Sequence, residues 1–193
     1  MYQAAEAESA SFGTEAYQRA KEYYAQKFGG LEMVTLSRSQ YGTMGRMERK
    51  TTTVNRNVCD DWCREHGVQP NLLFQAAFGH VVAVLTRQQQ VAYAAVNHGR
   101  MDKRLRGSMG MFVKTVPLLA NADPSQRVVD FVKSQRGELM SSIRYGIYPF
   151  THFCSDLAMK PGIAFNFMAL ADMEEHIMLS DGEAKIGRAS CRE

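Results

Sequence analysis

The stretch from Pro70 to Thr86 most strongly limits what this chain can fold into. It contains no charged residue, and its apolar side chains recur with the period of a helix. Pro70 suits the first helical position, and the polar run Arg87 to Gln90 ends the pattern. We therefore expect a largely buried helix that other elements must cover. Its predicted apolar face comprises Leu72, Leu73, Ala76, Ala77, Val81, Val84 and Leu85.

Three further segments have the length and composition of strands. Val91 to Val96 is a short apolar run that leads into the turn Asn97-His98-Gly99-Arg100. Met109 to Leu119 is rich in β-branched and aromatic residues, and its Pro117 favours the edge of a sheet. Ile163 to Met168 supplies another candidate strand.

Helical patterns and one more candidate strand surround these segments. They alternate loosely with the strands, which predicts a layered α/β unit with a mixed sheet. The expected elements are a helix from Thr14 to Phe28 with Tyr17, Ala20, Tyr24 and Phe28 on one face; a strand in Arg49 to Val58; a short helix capped by Asn57 and ended by Gly67; a helix from Asp123-Pro124 to Tyr145-Gly146; and a short helix after Pro149.

Composition excludes several classes of function. The 193 residues are 45% apolar and carry a net charge of only +3, which is too small and too scattered to indicate nucleic acid or a membrane surface as a partner. No apolar stretch approaches the ~20 residues that span a bilayer, and the first ten residues lack the order of a secretion signal. We expect a cytoplasmic protein with reduced cysteines.

Two local patterns invite a chemical interpretation, but a structural one fits each of them better. Cys59, Cys63 and His66 share one helical face, yet a zinc site needs a fourth ligand that the sequence does not offer nearby. His152 is close to Ser155 and Asp156 without a nucleophile elbow. We therefore predict no metal site and no catalytic residue from these patterns. The basic run Lys103, Arg104 and Arg106 is typical of a solvated loop.

The last eight residues are expected not to belong to the native protein. Ile186 to Glu193 reads as the translation of a common short-read sequencing adaptor. We exclude this segment from the fold and expect a gene fragment that ends near Lys185.

An ordered series of motifs resembles the condensation domains of nonribosomal peptide synthetases. Met109 to Leu118, read as Met-Gly-Met-Phe-Val-Lys-Thr-Val-Pro-Leu, is similar to the family's Ile-Gly-x-Phe-Val-Asn-Thr motif. Val96 to Arg100 resembles its strand and Gly-Arg turn, and Tyr148-Pro149-Phe150 resembles the centre of its His-Gln-Asp-Tyr-Pro-Phe-Glu motif. Ala164 to Phe167 is similar to the strand that follows, and Cys63 to Phe74 to the family's helix, Gly-Val turn and buried helix.

The resemblance implies a chloramphenicol-acetyltransferase-like α/β lobe, with a mixed sheet and flanking helices. In this family, two lobes enclose a tunnel in which an amine attacks a thioester, and both acyl groups arrive on phosphopantetheine arms of carrier proteins. The implied partners are the N-terminal lobe, carrier proteins and adenylation domains. No cofactor is implied to bind the chain directly.

The family's His-His-x-x-x-Asp-Gly motif is absent from this sequence. The matched motifs belong to the second lobe, so we expect a linker helix over residues 1–30, an incomplete C-terminal lobe over 31–185 and the non-native tail over 186–193. We expect the fragment alone to be inactive. A docking module without catalysis, and an epimerisation or cyclisation variant, remain open as alternatives.

The resemblance also suggests where site residues lie. Gly110, Phe112, Val113 and Thr115 are expected to form a core strand beside the tunnel, and Arg100, Tyr148, Pro149 and Phe150 to lie at the tunnel or in a turn. The sequence departs from the family at Lys114 and Leu119, where the core motif has Asn and Arg, and at Tyr145, Gly146 and Ile147, where the later motif has His-Gln-Asp.

Overall fold

A computed structural model describes residues 10–34, 49–99 and 111–168, together with the backbone of two short strands near the end of the chain. The elements, in chain order, are α1 (Glu15–Phe28), α2 (Arg56–His66), α3 (Pro70–Thr86), β1 (Gln90–Asn97), β2 (Lys114–Asn121), α4 (Val128–Arg144), α5 (Phe150–Asp156), β3 (Ala164–Phe165), β4 (His176–Leu179) and β5 (Gly182–Lys185). The last two strands form an antiparallel pair.

The sheet at the centre of the fold is mixed, with β1 between β2 and β3. β1 pairs with β2 antiparallel along its whole length, from Gln90 opposite Asn121 to Asn97 opposite Lys114. It pairs with β3 in parallel. The carboxyl ends of β1 and β3 therefore point to the same end of the sheet, which is where ligands commonly bind in α/β proteins.

Both faces of the sheet are buried, which explains why β1 reads as a continuous apolar run. Val91, Tyr93 and Ala95 point into a largely aliphatic cluster beneath α3 and α4. Ala92 and Ala94 point into an aromatic cluster beneath α1 and α5. We call these the α3–α4 side and the α1–α5 side. The mixed α/β architecture with flanking helices is confirmed.

Local sequence signals place several helix ends. The Thr14 hydroxyl accepts a hydrogen bond from the Tyr17 amide at 3.3 Å and so caps α1. Gly67 ends α2 in the left-handed conformation, with φ of 65°. Pro70 opens α3, as the sequence predicts. The expected face of α1 is also confirmed, since Ala20, Tyr24 and Phe28 are buried.

Edge strand β2 contains Pro117, which agrees with the prediction of an edge position. The Pro117 carbonyl accepts a hydrogen bond of 2.7 Å from the Ser142 hydroxyl on α4. The same turn of α4 offers its Ser142 carbonyl to the Tyr24 hydroxyl at 3.2 Å. Contacts from α4 therefore satisfy polar groups beside the strand.

The expected buried face of α3 is wrong for four of its seven members, one of which is the exposed Ala77. Leu72 and Ala76 are buried, but Val81, Val84 and Leu85 are 53%, 62% and 67% exposed. The buried set also includes Gln75, Gly79, Val82 and Ala83, which were not expected there. An uncharged helix is apolar on all sides, so its periodicity does not show which side meets the sheet.

Other element boundaries also differ from the sequence-based prediction. Arg49 to Asn55 forms no strand, and Asn55 rather than Asn57 caps α2 through the Val58 amide. The Asp123 carboxylate accepts a hydrogen bond from the Ser125 amide, which forms a turn, so α4 begins only at Val128. The strand expected over Ile163 to Met168 is reduced to Ala164–Phe165.

Among the described residues, no single helix is long and apolar enough to span a bilayer. α2 and α3 pass such a test only as a pair, and they are bent by 101° relative to each other.

Candidate functional site

A groove of about 910 Å³ opens at the end of the sheet where β1 and β3 finish. The N-terminal ends of α2 and α3 form its other wall. It is lined by Val54, Arg56, Cys59, Asp60, Gln69, Pro70, Asn71, Phe74, Gln75, Ala95, Val96, Asn97, His98, Val113, Leu139, Phe165, Asn166, Phe167 and Met168. Its volume lies in the range of about 300–1,000 Å³ that is typical of small-molecule sites.

Aromatic side chains from α3 and from the β3 segment build one wall of the groove. The rings of Phe74 and Phe167 stack with centroids 5.7 Å apart and an interplanar angle of 27°. Phe165 packs at 5.4 Å against Phe78, which in turn contacts Tyr93 in the core. This wall is therefore held by the packing beneath it, while Met168 at its end is 60% exposed.

The polar lining of the groove is mostly neutral. Among the described residues that line it, Arg56 and Asp60 are the only acidic or basic side chains other than His98, and their Nε and Oδ2 atoms lie 3.3 Å apart. Gln75 is only 2% exposed, and its Nε2 donates to Gln135 Oε1 at 3.5 Å. Side-chain amides are supplied by Gln69, Asn71, Gln75, Asn97 and Asn166.

A tight turn closes the end of β1 beside the groove. The Asn97 side chain accepts a hydrogen bond of 2.9 Å from the Gly99 amide. Gly99 has φ of 67°, and a Cβ atom there would collide with the Phe112 carbonyl. Glycine is thus required at this position on two grounds, backbone conformation and space.

The expected core-motif residues are distributed around this turn. Val113 is 51% exposed and lines the groove, whereas Phe112 is half-buried and its carbonyl packs against Gly99. Thr115 is in β2, in register with Val96. Gly110 and Arg100 lie outside the described residues, so their expected positions stay predictions.

Tyr148, Pro149 and Phe150 lie on the opposite side of the sheet from the groove lining. Pro149 precedes α5 and Phe150 begins it. Tyr148 is buried in the turn before them, and its hydroxyl donates to Asp156 Oδ2 at 2.8 Å. The expectation that these residues lie at the tunnel or in a turn stays a prediction.

Asp156 is the centre of a small polar cluster at the α1–α5 interface. Lys21 Nζ lies 2.6 Å from its Oδ2. Hydrogen bonds from Lys21 and then Tyr148 lower the pKa of the Asp156 carboxyl below its usual value. Burial raises the pKa of the Tyr148 hydroxyl, and the hydrogen bond to Asp156 raises it further. The cluster joins helix to helix and leaves Asp156 committed to structural partners.

The two local patterns considered in the sequence have structural partners. The His66 ring stacks on Trp62 with centroids 4.3 Å apart, and burial raises the pKa of the Cys63 thiol. His152 Nδ1 pairs with the Tyr17 hydroxyl at 2.8 Å. Within the part of the chain that is described, no group of three His, Cys, Asp or Glu residues is arranged to hold a metal ion.

The residues that depart from the family motif also have partners on the α1–α5 side. Tyr145 stacks on Tyr23 with ring centroids 4.0 Å apart. Leu119 packs against the aromatic cluster, and Lys114 Nζ donates to the Gly146 carbonyl at 3.2 Å. These departures therefore contribute contacts within the fold itself.

Sequence reasoning identified Phe74 and Phe165 only as parts of a helix and a strand, and it missed the groove that they line. Arg56, Asp60 and Gln75 were missed altogether. The available signal was the pair of apolar strand segments that end in Asn97 and Asn166, because polar residues at the carboxyl ends of adjacent parallel strands often mark a binding site.

Comparison with known proteins identifies the family. The family model of the condensation domain matches residues 2–187, which is nearly the whole chain. The chain therefore belongs to the condensation domain family.

Two curated relatives come from Bacillus subtilis (strain 168). The first subunit of surfactin synthase is 25% identical over 146 residues, which is 73% of this chain and 4% of the relative. One of the plipastatin synthase subunits is 26% identical over 110 residues, which is 57% of this chain and 4% of the relative. The chain thus spans a small part of these large synthetases.

Solved structures of condensation domains share the fold. The first condensation domain of the calcium-dependent antibiotic synthetase, in complex with a substrate analogue, has a TM-score of 0.66 and 17% identity; the match covers 83% of this chain and 37% of that one. A doubly substituted mutant of the starter condensation domain of rhizomide synthetase, in complex with C8-CoA and Leu-SNAC, has a TM-score of 0.69 and 19% identity, and the match covers 90% of this chain and 42% of that one.

Proposed function

We propose that the chain is the C-terminal lobe of a nonribosomal peptide synthetase condensation domain. Together with an N-terminal lobe, it would join two carrier-bound aminoacyl or peptidyl thioesters by an amide bond. The observation that carries this proposal is a groove at the carboxyl ends of two parallel strands, in a chain that belongs to the condensation family. Support comes from the share of solved condensation domains that it covers, 37–42%.

The same proposal assigns the parts of the chain. Residues 1–30 would be the linker helix that leads into the lobe, and residues 31–185 the lobe itself, still incomplete. Residues 186–193 would be a non-native tail. The family-model match over residues 2–187 is compatible with this division, since it stops close to the proposed end of the lobe.

The chemistry requires more than this groove. The acceptor amine attacks the donor thioester carbonyl, a C–N bond forms, the C–S bond breaks, and the amine proton leaves as the thiolate is released and protonated. A positioned base and aligned reactants supply most of the rate of such a step. The chain carries no His-His-x-x-x-Asp-Gly motif, so the base would come from the other lobe. The groove residues would bind and orient an acyl group.

The proposed partners follow from this role. Carrier proteins would deliver acyl groups on phosphopantetheine arms, and adenylation domains of the same cytoplasmic assembly would load those carriers. No cofactor would bind this chain directly. The rhizomide synthetase domain was solved with C8-CoA and Leu-SNAC, which supports a thioester as the kind of ligand.

The experiment joins this chain to an N-terminal lobe that contains His-His-x-x-x-Asp-Gly and supplies two loaded carrier proteins. We expect peptide product from the joined protein and none from the chain alone. The control replaces the second histidine of the motif by alanine and should abolish product. Product from the chain alone would contradict the proposal, as would a folded joined protein that binds both carriers without forming product, which would favour a docking module. An epimerised or cyclised product would favour the corresponding variant.

A further inference from the structure

The described lining of the groove offers little counter-charge for an acidic ligand. Arg56 is the one Lys or Arg side chain among these lining residues, and it already pairs with Asp60 at 3.3 Å. The Arg56 side chain is 74% exposed, so solvent screens it. Among the lining residues that the structure describes, a carboxylate placed deep in the groove would lose water and find no Lys or Arg side chain outside the Arg56–Asp60 pair, which is unfavourable.

The wall of the groove is suited to apolar groups of different shapes. The stacked rings of Phe74 and Phe167 offer a flat aromatic surface, and Phe165 continues it toward the sheet. Met168 is unbranched and more than half exposed, so it can adapt to the outline of a ligand. Both aromatic and branched aliphatic groups fit such a surface.

Neutral amides lie beside this apolar wall. Gln75 is 2% exposed and held by Gln135, and Asn71 lies one turn earlier on α3. Side-chain amides donate and accept hydrogen bonds without a net charge. They match the peptide-like groups of an aminoacyl thioester and carry no net charge that would offset that of an ionised side chain.

We propose that this groove binds the side chain of the acyl group and selects a neutral, apolar one, either aromatic or branched aliphatic, over an acidic one. This inference rests on the proposed function, in which the chain works on carrier-bound acyl thioesters. It adds the class of substrate and names Phe74, Phe167 and Met168 as the residues that determine the selection.

The test is direct binding to the 193-residue chain. N-acetylcysteamine thioesters of phenylalanine, leucine and aspartate are titrated separately and followed by the amide resonances of the protein. Phenylalanyl and leucyl probes should bind at least about tenfold more tightly than the aspartyl probe. Equal binding of the three, or no binding of any, would overturn the inference.

Two variants place a positive charge on the groove at exposed positions that the fold can tolerate. Val54 is 52% exposed and Met168 is 60% exposed. In Val54→Lys and Met168→Lys, the aspartyl probe should gain at least about fivefold relative to the phenylalanyl probe, because the carboxylate now has a partner. Val128→Lys is the matched control, since Val128 is 68% exposed but does not line the groove. An unchanged preference in both groove variants would overturn the inference.

The inference and the proposed function fail in different ways. If the joined two-lobe protein forms peptide equally fast from acidic and apolar acyl groups, the proposed function stands and the selection falls. If that protein forms no peptide while the isolated chain still prefers apolar probes, the binding groove stands and the condensation role falls.

Discussion

The two sides of the sheet are packed by different chemistry. On the α1–α5 side, aromatic rings fill the space: Tyr24, Phe28 and Phe153 are at most 1% exposed and lie 5.2–6.0 Å apart by ring centroids. On the α3–α4 side, the core is mostly aliphatic, and it ends in the groove. The α1–α5 side fixes helices to the sheet, and the α3–α4 side leaves surface for a ligand.

Polar contacts also distinguish the groove entrance from the rest of the fold. Lys27 and Glu138 join α1 to α4 at 2.6 Å, with side chains only 19% and 26% exposed. Arg56 and Asp60 belong to a single helix and are 74% and 38% exposed. A pair within one exposed turn holds no elements together, so the groove entrance is the less constrained region.

The largest expected effect contrasts one substitution on the two sides. Phe153→Ala removes a fully buried ring and should lower the free energy of unfolding by about 3–5 kcal/mol. Phe74→Ala removes a half-buried ring and should cost less than half of that, but it should weaken binding of the phenylalanyl probe. Urea unfolding and probe titration measure both. Equal losses of stability would refute the contrast.

The second prediction contrasts the two ion pairs. Lys27→Met leaves the Glu138 carboxylate without its partner in a poorly exposed place, so stability should fall by about 1–3 kcal/mol. Arg56→Met breaks an exposed pair and should change stability by less than about 1 kcal/mol. Urea midpoints with unchanged slopes will check this. A larger effect from Arg56→Met would contradict our description of the groove entrance.

The third prediction tests how tightly α3 meets the sheet beneath the groove. A Cβ atom at Gly79 would lie 2.7 Å from Ala120 Cβ, so Gly79→Ala should destabilise by about 1–3 kcal/mol. Gly137 on α4 has open space around that position, and Gly137→Ala should instead stabilise by roughly 0.5–1 kcal/mol. Thermal unfolding distinguishes the two signs. A gain in stability from Gly79→Ala would show that α3 is loosely packed.

The smallest effect concerns the pH dependence of stability on the α1–α5 side. Because the folded pKa of Asp156 lies below its usual 3.8, its contribution is present above pH 3.8 and is lost as pH falls through the folded pKa. Stability should therefore fall less steeply below about pH 4 in Asp156→Asn than in the parent chain. Tyr148→Phe should be intermediate, because Lys21 still pairs with Asp156. The same loss of stability below about pH 4 in all three proteins, measured by urea unfolding, would contradict this.

The sequence predicted elements well where polar side chains separate the apolar ones at a regular spacing. α1 shows this, since its buried residues Ala20, Tyr24 and Phe28 repeat at helical spacing among charged neighbours. The uncharged α3 gives no such contrast, and its buried face was predicted wrongly at Val81, Val84 and Leu85. Periodicity needs polar positions to define a direction.

The groove was beyond sequence reasoning for a related reason. Its walls come from segments as distant as Val54 and Met168, and the β3 segment is placed beside β1 by their parallel pairing. The two-residue β3 is too short for its pairing to be predicted from local preference. The resemblance to condensation domains predicted the fold correctly, but it did not indicate which side chains share a surface.

Hydrogen exchange with and without the phenylalanyl N-acetylcysteamine thioester tests most directly whether the groove on the α3–α4 side binds the ligand. We predict slower exchange in residues 54–60, 69–75, 95–98 and 165–168, with no change in α1 and α5. Protection confined to α1 and α5, or a complete absence of protection at saturating probe, would contradict the assignment of the groove as the functional face of this fold.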